Sequence, residues 1–139
     1  MAASATIAAI ASPRGPGARG VIRVSGPAAR ALLEAVWVEG ELVPPGRRGA
    51  SLGRIDDGGG TQPALALWMP GPRSFTREDV VELHLVGAPP LLEAALGQLL
   101  TLGARAAEPG EFTRRAFEHG RIDLSRAEGI LELVHARSE

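Results

Sequence analysis

Glu82 and His84 stand two residues apart in the run DVVELHLV, and Arg23 lies between Ile22 and Val24 in GVIRVS. An i, i+2 spacing on a strand puts both side chains on one face. A carboxylate fixed there can grip a guanidine-like edge, such as the adjacent N–H and NH2 donors of a pterin or guanine ring, through two parallel hydrogen bonds. Glu82 also reads as a carboxylate on a solvated strand face. Arg23 reads either as a solvated strand residue or as a planar donor fork for a carboxylate or carbonyl.

Several other chemistries are closed by residue type. All 15 basic side chains are Arg, which removes a P-loop lysine, a Schiff-base lysine and any Lys amine. Without cysteine there is no disulfide, thiolate metal site or thiol nucleophile, and nothing argues against a cytoplasmic location. His84, His119 and His135 are too scattered for a metal cluster. Gly15, Gly17 and Gly20 satisfy the pattern G-x-G-x-x-G, but the third glycine leads into Val21, Ile22 and Val24, which favour a strand, whereas a dinucleotide site needs a helix there. Arg14, Arg19, Arg23 and Arg30 fall in a segment without an acid, a candidate anion-attracting patch.

The elements that must carry these residues belong to a chain of 139 residues, 45% hydrophobic, with 22% charged residues and a net charge of −1. That is enough for one domain with its own core and lies far from the composition of disordered chains. No apolar run approaches the length of a membrane span. Strands are predicted over 6–11 and 20–25, and Gly26-Pro27 opens a helix over 27–37 whose Ala29, Leu32, Leu33 and Val36 share a face. An irregular Pro/Gly segment over 39–48 precedes a hairpin, 50–55 and 63–69, turned by DDGGGTQ. A strand over 79–86 carries Glu82 and His84. A second helix starts at Pro89-Pro90 and ends near Gly103, followed by a short strand over 105–107. Two helices close the chain, 110–119 and 125–138, the latter with Ser125-Arg126-Ala127-Glu128 as its capping box. Trp37 and Trp68 read as core or interface anchors. The expected class is α+β (α/β), with a mixed or antiparallel sheet, two packed helices and further helices at the C-terminus.

Four segments, TIAAIASP (6–13), RGVIRVSGP (19–27), PGPRSFTREDVVELH (70–84) and EPGEFTRRAFEHGRIDLSRAEGI (108–130), together resemble the N-terminal domain of the tRNA-modification GTPase family called MnmE or TrmE. The resemblance implies a fold similar to the tetrahydrofolate-binding module of the glycine-cleavage T-protein. It implies a homodimer that binds a one-carbon-loaded tetrahydrofolate, 5-formyl- or 5,10-methylene-tetrahydrofolate. It further implies that the full-length protein modifies the wobble uridine of tRNA with an FAD-dependent, MnmG-like partner and without a membrane. The family's folate contacts carry over to Arg23, Glu82 and Arg121, with Glu82 on the pterin donor edge and the two arginines on its acceptors or glutamate tail. Where the family usually has Lys, this chain has Arg121; the family's HCHGG stretch reads HLVGA over 84–88, and its PPGRGGVG loop reads PRGPGARG over 13–20. Residues 1–119 are expected to form the folate-binding and dimerisation domain and 120–139 the start of a helical domain, with a GTPase domain absent. A dimerisation module that has lost folate binding is the alternative reading.

Overall fold

The computed structural model describes residues 4–13 and 15–138, with side chains at 135–138 left aside. Seven strands form one sheet in the order β3-β4-β5-β6-β2-β1-β7. They are β1 (Ile7–Ile10), β2 (Arg19–Ser25), β3 (Trp37–Glu39), β4 (Gly49–Asp56), β5 (Thr61–Met69), β6 (Val80–Val86) and β7 (Arg105–Ala106). Every pairing is antiparallel except β1 with β7, so the sheet is mixed and the α+β class holds.

Period-two alternation splits the residues of the central strands cleanly. Ile22 and Val24 of β2, Val81, Leu83 and Leu85 of β6, and Ala64, Ala66 and Trp68 of β5 are buried on one face. Helix α1 (Ala29–Val36) covers that face with Leu32, Leu33 and Val36, and α2 (Pro89–Thr101) with Leu92, Ala95 and Leu99, completing the core. Burying such side chains stabilises the fold by about 1.5–3 kcal/mol each. The opposite face carries Arg23, Glu82, His84, Leu65 and Leu67. Helices α3 (Glu111–Glu118) and α4 (Leu124–Ser138) follow, and Phe112 of α3 lies against that second face.

Close backbone approaches explain two glycines. A Cβ on Gly20 would come within 2.5 Å of Leu92, so the glycine of the nominal dinucleotide motif serves contact between β2 and α2. Gly26 has φ +141 and sits on Thr6, whose hydroxyl accepts the Ala28 N–H at 2.8 Å and fixes the entry into α1.

The predicted elements are recovered with shifts at their ends and two corrections. Trp37–Glu39, read as helix end and loop, is a strand, because pairing with β4 at Trp37↔Ile55 supplies partners for its backbone. The cap of α4 is Asp123 rather than Ser125. Its Oδ1 accepts the Arg126 N–H at 2.8 Å, the bond an acidic N-cap makes to the third helical residue. Trp68 is a core anchor, 2% exposed, its indole N–H donating to the Pro45 carbonyl at 2.8 Å.

Candidate ligand site on the open sheet face

Arg23 and Glu82 are Cα partners in the β2–β6 ladder, so two central, hydrogen-bonded strands hold both side chains on the open face. Arg23 Nε donates to Glu82 Oε2 at 3.0 Å and Nη2 lies 2.9 Å from the same oxygen. The side chains are 33% and 19% exposed, half-buried and still reachable from solvent. The pair is in direct contact rather than facing across a gap. The Phe112 ring lies over the guanidinium, 5.6 Å from Cζ to the centroid, a cation–π arrangement.

His84, two residues along β6, joins the cluster through Nε2, 3.3 Å from Glu82 Oε1. With Nε2–H donating, a neutral ring leaves Nδ1 as an acceptor. Nδ1 is buried with no partner among the described residues. A buried polar atom without a partner is costly, so the cluster has hydrogen-bonding capacity left over. The site thus offers a carboxylate and a guanidinium on a rigid surface, beside the apolar Leu65 and Leu67, with the His84 ring packed against the carboxylate. A flat heterocycle with a row of N–H donors and carbonyl acceptors matches that set.

Arg121 lies elsewhere. It lines a cavity of about 410 Å3 with Arg48, Met69, Pro72, Arg73, Ser74 and Phe75. Among the described residues its guanidinium makes no ion pair with Glu82 or any other carboxylate. The structure therefore brings together Arg23 and Glu82 of the three expected residues and sets the third in a neighbouring recess.

The arginine patch expected along 14–30 is not one surface. Arg23 lies on the open face, whereas Arg30 sits on α1, paired with Glu34 at 2.7 Å and stacked on Trp68 of the core face at 5.4 Å. Strand and helix alternation separates them to opposite sides of the sheet. Arg14 and the His135 side chain lie outside the described residues.

Two features escaped the sequence. The i, i+2 spacing groups His84 with Glu82, but no local pattern marks its Nδ1 as an orphaned acceptor. The second is a buried ionic network that seats α3. Arg115 Nη1 donates to Glu78 Oε1 at 3.0 Å, and Ser25 Oγ donates to the same oxygen at 2.8 Å while sharing a 2.7 Å hydrogen bond with Thr76. Glu111, 2% exposed, accepts two bonds from Arg105, one from Arg115 and one from the Glu108 N–H. The Arg105 bonds hold its carboxyl down at about 2, against burial, which alone would raise it. Ser25 and Arg23 share the same face of β2, so the network places α3, and with it Phe112, over the candidate site.

Residues 6–121 match the family model described as the GTP-binding protein TrmE N-terminus. The chain is 49% identical over 138 residues to a tRNA modification GTPase MnmE of Roseiflexus castenholzii, covering 96% of this chain and 29% of that protein. It is 47% identical over 144 residues to the protein of the same name from Heliobacterium modesticaldum, covering 96% and 30%. For that of Erythrobacter litoralis the figures are 50% over 137 residues, 96% and 31%. The chain spans under a third of the length of these curated relatives. The chain belongs to the TrmE N-terminal family, the N-terminal domain of tRNA modification GTPases of the MnmE type.

Proposed function

We propose that this domain binds a one-carbon-loaded tetrahydrofolate, 5-formyl- or 5,10-methylene-tetrahydrofolate, on the open sheet face and pairs with a second copy of itself. The whole protein to which it belongs would be a cytoplasmic GTPase that modifies the wobble uridine of tRNA with an FAD-dependent, MnmG-like partner. The name shared by the relatives supports the tRNA reading. GTP hydrolysis would reside outside these 139 residues, which contain no lysine for a P-loop. Residues 1–119 would form the folate-binding and dimerising unit, and 120–139 would begin a helical domain.

The observation that carries the folate reading is the Glu82 carboxylate, held on a stiff strand between Arg23 and a His84 ring with an unpartnered nitrogen. Glu82 would take the donor edge of the pterin, Arg23 its acceptors, and Arg121 its anionic end. Bound there, the folate supplies the one-carbon unit. The protein's own part is to orient the ring by charge-assisted bonds and to shield one side of it with Phe112 and Leu67. Leu52, 76% exposed, and Leu124 and Leu133 of α4, 55% and 67% exposed, present apolar area that a second copy would cover.

Isothermal calorimetry with 5-formyltetrahydrofolate tests this reading. Losing a bidentate bond to a charged group costs about 1.5–3 kcal/mol, so Glu82→Ala should bind at least tenfold more weakly while keeping its fold. Unchanged affinity in that variant would remove Glu82 from the site. No binding by the unaltered chain would leave a dimerisation module.

A further inference from the structure

The recess that holds Arg121 is built from three separate parts of the chain. Arg48 comes from the loop before β4, Arg73 from the loop between β5 and β6, and Arg121 from the segment after α3. Arg48 Nη1 donates to the Arg73 carbonyl, which ties two of these segments together. No carboxylate lines the recess, so three guanidiniums face about 410 Å3 of space with a charge of +3. Among the described residues none of the three has an ion-pair partner, as is also true of Arg19, Arg47, Arg54, Arg77 and Arg126; what sets these three apart is that they share one recess. Like charges gathered in a concave site focus a positive field, and guanidinium forks match carboxylates in pairs.

The position of the recess is informative. Met69, part of its lining, is on the same face of β5 as Leu67, and Leu67 is the Cα partner of Glu82. Two residues along a strand span about 7 Å. The recess therefore begins one side-chain step from the Arg23–Glu82 pair, on the same surface.

We propose that the Arg48–Arg73–Arg121 recess binds a chain of carboxylates, the oligoglutamate tail of a folate whose ring lies at Glu82. This rests on the folate reading above and adds a preference for polyglutamylated over monoglutamylated ligand. The three cations share one recess of this size, flanked by Pro72, Ser74 and Phe75, rather than running along an extended track, which favours a short anionic tail over a nucleic-acid backbone.

The test compares mono- and triglutamyl 5-formyltetrahydrofolate by calorimetry on the full chain and on the double variant Arg48→Gln/Arg73→Gln. Arg73→Gln alone serves if the double variant misfolds. The triglutamyl form should bind the unaltered chain at least tenfold more tightly, and the variant should lose that advantage while its affinity for the monoglutamyl form changes less than threefold. Equal affinities in the unaltered chain would overturn the tail site and leave the ring site standing. No binding of either form would overturn both. Retention of a single-stranded RNA oligonucleotide that depends on Arg48 and Arg73, with folate affinities insensitive to tail length, would reassign the recess to phosphate and overturn the proposal.

Discussion

Phe112 lies over the guanidinium of Arg23, its ring centroid 5.6 Å from Cζ, so a residue of α3 sets the pose of a side chain fixed on β2. An exposed cation–π contact contributes about 0.5–1 kcal/mol. Phe112→Ala should therefore weaken 5-formyltetrahydrofolate binding about two- to fivefold by calorimetry. It should also lower the melting temperature, because the half-buried ring is lost. Phe112→Tyr, which keeps the ring face, should restore both.

Glu111 should give the domain a distinctive acid limb. Its carboxyl is lowered from 4.5 to about 2, chiefly by the Arg105 hydrogen bonds. A lowered folded-state value means that the stabilisation is fully present above about 4.5 and disappears as pH falls toward 2, amounting to about 3 kcal/mol when complete. Glu111→Gln removes the charge that Arg105 and Arg115 share, although Arg115 keeps Glu78, and should destabilise the fold at neutral pH by about 3 kcal/mol. Denaturant unfolding at several pH values should show the gap between variant and parent closing between pH 4.5 and 2.

Gly20→Ala should destabilise by about 1–3 kcal/mol, since its Cβ would come within 2.5 Å of Leu92. Melting curves should fall by about 5–10 °C. Adding Leu92→Ala removes the clash, so the double variant should lose less stability than the sum of the two single changes.

Leu52→Asp tests self-association through the open face. The side chain is 76% exposed, so the change should leave the monomer's melting temperature within a few degrees. Sedimentation should move from dimer to monomer at micromolar concentration. A monomeric parent chain under the same conditions would overturn the dimer.

Local patterns made much of this fold legible. The apolar stripe of α1, the alternation of β6 and the glycine-rich turn between β4 and β5 are each written within a few residues, and each element formed where its pattern lies. The three-residue β3 follows α1 with no intervening breaker and exists through its pairing with β4, a contact distant in sequence. Asp123 outcompeted Ser125 as a cap, although the capping-box pattern pointed to the serine. At the site, alternation correctly placed Glu82 with His84. The recess of Arg48, Arg73 and Arg121 draws on three loops that no local pattern connects. The Glu111 network joins a loop, a two-residue strand and a helix, and becomes readable only once the sheet has brought Glu78 and Ser25 together.

The outermost strands of the sheet, β3 with three residues and β7 with two, are its shortest. A strand that short presents only a stub of unpaired backbone, too little to template another chain's extension of the ladder. Assemblies that include this domain are thereby directed to stack against its broad surfaces rather than to lengthen the ladder from either terminal stub.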